Sequence, residues 1–545
     1  MPIESSYPPI AIPAVDVWTY FLERPDREYP EDHVLFVDVA TGRKLTYALL
    51  RSCAKQFGSA LQERWQWRKG DVLAIMTPND IDVAPATFGA LLVGGVVCPL
   101  NFMYTVDELV SQLTSSKAKG LLTNVACLEV ACKAASKFGL PLDRILLVGN
   151  NMPTNPVQHF SSLKSASDSI KRVEIDPKED LAYLVYSSGT TGEPKGVMLT
   201  HENIVANSIQ ATTANGYKTN WKTDTGIGFL PMYHIYGIAV LLLTPIFYGV
   251  TTHIMQTFDL KKFCETVDKE KVTIAYIVPP VALALAKAPI VDQYNLKSLR
   301  DLHSSAAPIP VEIITAIHKR LGAQILQVYG LSEAAPAVSS QRIESWSTAL
   351  GTSGRLLPNM SAKVVSDGNE MAIGEEGELC LKGPNIFKGY YNNHQATAAA
   401  FDAEGWYHTG DVGKFDELGN LYITDRVKEL IKYNGFQVAP AQLEALFIGH
   451  PAVADVAVIG VYSESRVTEL PRAYIVVAAG YKGDGKLEEE LHHWFNERVS
   501  PHKKLRGGIR FVEAVPKSNA GKILRRVLVE QAKSEEGERT VKARL

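Results

Sequence analysis

The sequence has 545 residues, of which 46% are hydrophobic and 21% are charged, and its formal net charge is −3. These values exclude wholesale disorder, a collagen and a coiled coil. The balance of 56 basic against 59 acidic residues gives no general electrostatic field for a nucleic-acid backbone, so we expect no nucleic-acid partner and only a local phosphate site.

Targeting and membrane signals are the next features of the chain. The first residues, MPIESSYPPIAIP, lack the basic start and apolar core of a secretory signal. The longest apolar run, 237–250, is interrupted by Pro245 and Gly249 and is too short to span a bilayer. The six cysteines show no CxxC spacing and are expected to be reduced thiols. We therefore expect an intracellular protein without a membrane span.

The first 425 or so residues repeat one rhythm, in which a short β-branched run and a turn precede an amphipathic stretch. Residues 71–76 followed by 82–92 show it, and so do residues 272–278 followed by 281–288. The rhythm predicts parallel, helix-covered sheets. The fold class is therefore α/β, with two doubly wound sheets in a large N-terminal domain of residues 1–425.

Two further units follow in the predicted order. Between residues 362 and 382 the pattern favours hairpin strands with turns at Asp367-Gly368 and Glu376-Gly377, which suggests a small antiparallel β-barrel. After residue 426 we predict a smaller α+β domain, 426–545, with a helix from about Pro440, strands at 456–461 and 473–478, and a charged helix from Leu487. Its 20 basic and 15 acidic residues give it a net charge of +5.

A donor-rich loop follows the apolar strand predicted at 181–186. Its glycines let backbone N–H groups turn toward an anion, its hydroxyls add donors, and its lysine adds a mobile positive charge. The loop has no Gly-Lys-Ser/Thr ending, so it is not a Walker loop. The pattern predicts triphosphate binding by Ser187, Ser188, Gly189, Thr190, Thr191, Gly192 and Lys195.

The loop SSGTTGEPKG at 187–196 resembles the signature of the adenylate-forming superfamily of acyl-CoA synthetases, luciferases and peptide-synthetase adenylation domains. Further motifs occur in the family's order and cover most of the chain: PMYHIYG at 231–237, QVYGLSE at 327–333, YHTGD at 407–411, DRVKELIK at 425–432 and PKSNAGK at 516–522. The segment YNGFQVAP at 433–440 is most similar to the 4-coumarate:CoA ligase branch.

The resemblance implies an acid–thiol ligase that uses ATP, Mg²⁺ and coenzyme A. A carboxylate first displaces pyrophosphate at the α-phosphate, and the adenylate then passes its acyl group to the thiol with release of AMP. The family positions assign Ser332 and Glu333 to Mg²⁺, Tyr329 and Gly330 to the adenine, Asp411 to the ribose hydroxyls and Arg426 to the ribose or phosphate side.

The C-terminal domain carries the remaining catalytic positions, because the family uses it in two orientations. Lys522 is implied for adenylation, and Lys432 and Gln437 are implied for thioester formation. Lys428 takes the hinge position, near 425–428, and Gly435 would admit the pantetheine arm, with basic groups of this domain meeting the CoA phosphates. His234 is placed beside the acyl carboxylate, although an ordinary buried histidine is the alternative.

The acyl pocket is implied to consist mostly of small or apolar residues, which suits a hydrophobic acid. The matching positions are Tyr236, Ser305, Ala306, Gly330, Pro336 and Ala337. Ser305 stands where plant 4-coumarate ligases tend to have glycine, and Ala337 where they have a larger aliphatic residue. Aryl acids and medium-chain fatty acids both remain open as substrates.

The ending Ala543-Arg544-Leu545 resembles a variant of the Ser-Lys-Leu peroxisomal address. It predicts a peroxisomal import receptor as partner and a peroxisomal location, with the cytoplasm as the alternative. Three alternatives stand for the function: an enzyme loading a carrier protein, a luciferase-like oxidation of the adenylate, and a non-catalytic nucleotide-binding regulator. Asp168-Ser169-Ile170 superficially resembles a phosphopantetheine site.

Overall fold

The computed structural model describes residues 2–150, 157–163, 170–187, 194–214, 219–426, 429–433, 436–463, 466, 468–518 and 521–542. The segment Asp168-Ser169-Ile170 lies outside these residues except for Ile170, and so does the ending Ala543-Arg544-Leu545. The peroxisomal receptor and location therefore stay predictions. Among the described helices, none combines the length and the apolarity needed to cross a bilayer.

The α-helices of the described residues are distributed along the whole chain. They are α1 Val17–Leu22, α2 Tyr47–Trp65, α3 Val83–Leu92, α4 Val106–Ser116, α5 Leu128–Phe138, α6 His201–Ala214, α7 Ile235–Gly237, α8 Thr244–Tyr248, α9 Leu260–Glu270, α10 Pro279–Lys287, α11 Val311–Leu321, α12 His394–Ala398, α13 Pro440–Ile448, α14 Gly485–Asn496 and α15 Arg525–Lys542.

The strands of the described residues are mostly short. They are β1 Ile3–Glu4, β2 Val34–Asp38, β3 Lys44–Thr46, β4 Val72–Met76, β5 Val96–Leu100, β6 Gly120–Thr123, β7 Ile145–Leu147, β8 Gln158–His159, β9 Leu181–Ser187, β10 Lys195–Thr200, β11 Thr225–Gly228, β12 Thr251–Ile254, β13 Ile274–Ile277, β14 Asp301–Ser304, β15 Gln324–Gly330, β16 Ala337–Ser340, β17 Arg355–Leu356, β18 Ser361–Ser366, β19 Asn369–Glu370, β20 Gly377–Lys382, β21 Gly389–Tyr390, β22 Tyr407–Phe415, β23 Leu421–Arg426, β24 Ile431–Tyr433, β25 Phe436–Val438, β26 Val453–Ser463, β27 Thr468–Val477 and β28 Gly508–Phe511.

Two large sheets form the body of the protein. One has the strand order β21-β10-β9-β5-β4-β6-β7-β8, and the other has the order β17-β16-β15-β14-β13-β11-β12-β2-β3. Their centres are parallel, and antiparallel strands such as β10 and β16 extend their edges. The predicted α/β class is confirmed. The pair β4 and α3 and the pair β13 and α10 fall where the sequence rhythm placed them, within three residues at each end.

The alternation of side chains in β4 explains how one sheet serves two cores. Leu73 and Ile75 join a core that contains α2, α3 and side chains of the second sheet, while Val72, Ala74 and Met76 face α4 and α5. All five residues are buried. The continuous apolar pattern of this strand therefore follows from burial on both faces.

The third sheet is antiparallel, and its last strand in chain order, β23, precedes the C-terminal unit. Its strand order is β1-β18-β20-β22-β23, with β19 paired to β18. Within the described residues its end strands β1 and β23 are not paired, so the unit is an open sheet instead of the predicted closed barrel. The turn at Asp367-Gly368 is confirmed by positive φ at both residues. The second predicted turn was wrong, because it occurs at Ile373-Gly374 and Gly377 already begins β20.

The C-terminal unit is a three-stranded sheet, β26-β27-β28, with α13 and α14 packed on one core. The predicted helices and strands of this region are confirmed, although β26 and β27 are longer than expected. Residue 426 is also the last residue of β23. The division into independent domains at this residue stays a prediction.

The C-terminal unit is seated on the large body at α10. Lys287 at the end of α10 donates to the carbonyl oxygens of Ile448 and Val453, each at 3.4 Å. Gly521 has a φ of +78°, and a Cβ at this position would lie 3.2 Å from Cγ of Pro280. The positive φ and this close approach to the body both favour glycine at residue 521.

Candidate active site

Of the donor-rich loop, the structure describes the two ends, at Ser187 and at residues 194–196. In the hairpin of β9 and β10, Lys195 is the register partner of Ser187. The Lys195 ammonium lies 4.8 Å from the centroid of the Tyr390 ring, within the range of a cation–π contact. The predicted phosphate-binding residues Ser188, Gly189, Thr190, Thr191 and Gly192, and the side chain of Ser187, lie outside the described residues.

Glu333 lies in a short 3-10 turn directly after β15, beside Ser332. Both residues are buried. The Tyr390 hydroxyl donates a 3.0 Å hydrogen bond to Glu333 Oε1, so Tyr390 connects this carboxylate to Lys195. Burial raises the pKa of Glu333 above its ordinary value. A buried carboxylate beside a hydroxyl is a hard-oxygen donor set that a cation would stabilise.

Asp411 has both carboxylate oxygens engaged. Tyr329 donates a 2.7 Å hydrogen bond to Oδ2, and the Arg426 Nε lies 3.1 Å from Oδ1. Asp411 and Arg426 are register partners in β22 and β23, and the backbone N–H of Asp411 donates to the Thr409 hydroxyl at 3.0 Å. The structure thus brings together three of the residues that the sequence assigned to the nucleotide.

Lys522 and His234 interact electrostatically although they belong to different units of the chain. Burial, and after it the Arg426 charge, lower the pKa of Lys522 to about 8. Burial also lowers the pKa of His234 to about 4, and the Lys522 charge contributes in the same direction. His234 is therefore neutral near pH 7. The ordinary-histidine alternative fits this burial and the 3.3 Å hydrogen bond that His234 Nδ1 accepts from the Tyr236 N–H, so the role of His234 stays a prediction.

The loop that carries Lys522 is held by its own backbone. The Ser518 N–H donates to the Lys522 carbonyl at 2.7 Å, and the Lys522 N–H donates to the Ser518 hydroxyl at 3.2 Å. Lys517 and Ile523 form a β-bridge across the same loop. These contacts, together with Gly521 against Pro280, fix the lysine at the edge of the large body.

Lys432 and Gln437 are register partners in the hairpin of β24 and β25. Lys432 is exposed, its N–H donates to Glu469 Oε2 at 2.7 Å, and its carbonyl accepts from the Thr468 hydroxyl. The present orientation therefore brings Lys522 to the other site residues, whereas Lys432 stays on the surface of the C-terminal unit. Gly435, Lys428 and the side chain of Gln437 lie outside the described residues.

His234 lines an apolar cavity of about 120 Å³. Every residue that the sequence assigned to the acyl pocket lines it: Tyr236, Ser305, Ala306, Gly330, Pro336 and Ala337. A Cβ on Gly330 would collide with the carbonyl oxygen of Pro336, which requires glycine here. Ala306 has a φ of +78°, an uncommon conformation for a residue with a Cβ.

Sequence reasoning missed several residues of the cavity and its surroundings. Tyr276 and His303 line the cavity with ring centroids 5.2 Å apart, and the Tyr236 hydroxyl donates to the His303 carbonyl at 3.0 Å. Desolvation lowers the pKa of His303. Neighbouring parallel strands, β13 and β14, bring these two residues together. The sequence rhythm predicted parallel strands but not their register. It therefore gave no signal that Tyr276 and His303 would be neighbours.

Comparisons with known proteins agree with this arrangement. The family model described as "AMP-binding enzyme" matches residues 22–391, and the model described as "AMP-binding enzyme C-terminal domain" matches residues 442–522. A probable 4-coumarate–CoA ligase 1 from Dictyostelium discoideum is 38% identical over 543 residues, which cover 96% of each chain.

Solved structures share the fold over nearly the whole chain. ATP-bound MatB from Rhodopseudomonas palustris has a TM-score of 0.84 at 26% identity, covering 94% of this chain and 99% of that one. O-succinylbenzoate coenzyme A synthetase from Bacillus subtilis, in complex with ATP and a magnesium ion, has a TM-score of 0.77 at 25% identity and covers 93% and 98% of the two chains. The protein therefore belongs to the family of AMP-binding enzymes.

Proposed function

We propose that the protein is an AMP-forming acid–CoA ligase. In the first step an oxygen of the carboxylate attacks the α-phosphate of ATP, and the bond to pyrophosphate breaks. In the second step the CoA thiol, losing its proton, attacks the acyl carbon, and AMP leaves. The observation that carries the proposal is the packing of the Lys522 loop against Pro280 of the large body, which brings the Lys522 charge to bear on His234 in the cavity lining. The charges of Arg426 and Asp411, which are paired with each other, act on Lys522 in turn.

The adenylation step needs positive charge at the reacting oxygens. Lys522 would supply it, because its loop reaches the large body in the present orientation. Neutral His234 would orient the carboxylate without adding a second charge. Asp411 would accept the ribose hydroxyls, and Tyr329 and Arg426 would hold its carboxylate in place for them.

The thioester step is proposed to use the second orientation of the C-terminal unit. A rotation at residues 425–428, around Lys428, would withdraw Lys522 and bring the hairpin of Lys432 and Gln437 to the adenylate. Gly435, which has no side chain, would leave room for the pantetheine arm. The exposure of Lys432 in the present orientation supports this division of labour, because the residue lies on the surface of the C-terminal unit and does not line the cavity.

Magnesium is proposed as the metal of the adenylation step. The buried carboxylate of Glu333 and the hydroxyl of Ser332 are the hard oxygens that this ion prefers, and the ion's charge would offset the burial that raises the pKa of Glu333. When bound, the ion would neutralise charge on the ATP phosphates. The magnesium ion in the similar synthetase from Bacillus subtilis supports the assignment.

The proposed substrate is a hydrophobic carboxylic acid, either aryl or medium-chain aliphatic. The apolar lining of the cavity supports this class, and the name of the Dictyostelium relative supports an aryl acid. Ser305 and Ala337 line the cavity with side chains that differ from the plant pattern. Hydroxycinnamates are therefore tested as candidates beside other hydrophobic acids and are not assumed to be the substrate.

A panel of carboxylic acids tests the proposal. Purified protein with ATP and Mg²⁺ should exchange labelled pyrophosphate into ATP when a suitable acid is added, and should release AMP when CoA is present. Exchange without CoA-dependent AMP release would favour loading of a carrier protein or oxidation of the adenylate, which oxygen uptake would distinguish. No exchange with any acid would contradict the proposal.

A further inference from the structure

One helical stretch lines the acyl cavity over several turns. It consists of α7, a π-helical segment at Ile238–Leu243, and α8. Two rows of its side chains line the cavity at helical spacing: Tyr236, Val240, Thr244 and Tyr248 in one row, and Ala239, Leu243 and Phe247 in the other. At about 1.5 Å per residue, the path from His234 to Phe247 is roughly 20 Å long.

At its C-terminal end this helical stretch borders a second cavity. Phe247 and Tyr248 line the acyl cavity and also a second cavity of about 540 Å³ near the N-terminal segment. Tyr20 and Arg24 line the second cavity and are not part of the acyl cavity. The two spaces therefore meet at these aromatic residues.

Phe247 is held from the side of the second cavity. The Arg24 guanidinium lies 4.0 Å from the centroid of its ring, and the Tyr20 ring stacks at 5.9 Å. Arg24 also donates a 3.1 Å hydrogen bond to the Phe247 carbonyl. The helix ends directly afterwards at Gly249, which has a φ of +76° and packs against the Tyr29 ring. The backbone and the ring of Phe247 are thus both fixed.

We infer that Phe247 sets the greatest length of acid that the enzyme activates, with the second cavity as the space that longer tails enter once the ring is removed. The inference rests on the proposed function. An acid with its carboxylate beside His234 would direct its tail along the helix toward Phe247. Ala239, Leu243 and Phe247 line the cavity at successive turns of this helix. Replacing the ring by a methyl group would remove a side chain that lines both cavities.

Two series of acids test the inference: straight-chain fatty acids and cinnamic acids with a para-alkoxy chain, each lengthened one carbon at a time. The variants are Phe247→Ala, Ala239→Phe to obstruct the path nearer the carboxylate, and Phe258→Ala as the matched control. Phe258 packs against Phe229 and Phe263 away from both cavities. The measurement is kcat/KM for acid-dependent pyrophosphate exchange, and thermal unfolding checks that each variant is folded.

The wild-type protein and Phe258→Ala should lose efficiency at the same chain length. Phe247→Ala should move this limit to longer acids and raise their kcat/KM about tenfold or more relative to the shortest acid, and Ala239→Phe should move it to shorter acids. If short acids support exchange and Phe247→Ala leaves the limit unchanged in both series, the inference is wrong and the proposed function stands. If no acid supports exchange with any protein, both fail.

Discussion

The Tyr329 hydroxyl donates a 2.7 Å hydrogen bond to Oδ2 of Asp411, although the two residues are 82 positions apart in the chain. The bond joins the end of β15, in the second large sheet, to β22, in the antiparallel sheet. Because Arg426 occupies the other carboxylate oxygen, Asp411 is oriented from both sides. Three motifs that are separate in sequence therefore build one hydrogen-bonded group.

Removing the Tyr329 hydroxyl should weaken nucleotide binding. In Tyr329→Phe the Asp411 carboxylate loses a buried donor while the ring is kept, and a hydrogen bond to a charged group contributes about 1.5 to 3 kcal/mol. We expect KM for ATP in pyrophosphate exchange to rise about tenfold or more. Tyr422→Phe removes a hydroxyl bonded to Asp416, which directly follows β22, and should leave KM unchanged. Equal values for both variants would refute the role of the Tyr329 hydroxyl.

Lys522 should be needed for one half-reaction only. In Lys522→Ala the charge at the reacting oxygens is lost, and we expect pyrophosphate exchange to fall by about two to three orders of magnitude. Thioester formation from a preformed acyl adenylate and CoA should remain within a few-fold of wild type. Lys432→Ala should show the reverse pattern. Loss of both half-reactions in either variant would contradict the two-orientation scheme.

The rate should also depend on the protonation state of Lys522. Only the protonated amine carries the needed charge, and its pKa is lowered to about 8, so kcat/KM for ATP should be high below pH 8 and fall as the pH rises above it. Lys522→Arg keeps the charge at all accessible pH values, and its residual activity should lack this alkaline limb. A limb at the same pH in both proteins would assign the titration to another group.

Glu333 should control the response to magnesium. Glu333→Gln keeps the shape and a hydrogen-bonding oxygen for Tyr390 but removes the negative charge, so the Mg²⁺ concentration at half-maximal exchange should rise about tenfold or more. Glu376→Gln changes a carboxylate that pairs with Lys414 at the surface and serves as control. An unchanged Mg²⁺ response in Glu333→Gln would place the metal elsewhere.

Arg525 should stabilise the C-terminal unit. Its guanidinium forms ion pairs with Glu429 at 2.6 Å and Glu444 at 2.8 Å, and its side chain is only 14% exposed. Arg525→Met would leave both carboxylates without this partner, which should lower the free energy of unfolding of the unit by about 3 kcal/mol. Urea unfolding measures the change. Arg526→Met, at an adjacent side chain that is 77% exposed, should have an effect below about 0.5 kcal/mol.

The fold class could be predicted because its signals are local. The apolar run of β4 and the glycine at Asp367-Gly368 act over a few residues, and the structure contains both features as expected. The barrel was not confirmed, because closure depends on whether β1 and β23 meet, and no pattern within either strand reports that. The turn placed at Glu376-Gly377 was wrong because several glycines compete for it and cross-strand pairing selects one.

The sequence by itself determined the motifs, their order and the chemical groups at the site, since covalent neighbours carry these signals: Asp411, Glu333, His234 and Lys522 were all identifiable from it. Only the tertiary structure decided which of them meet. It placed Tyr390 between Lys195 and Glu333, brought the Lys522 loop and not Lys432 to the large body, and put Phe247 in the lining of two cavities. These contacts depend on strand register and on the seating of one unit on another, which arise from packing between residues far apart in the chain.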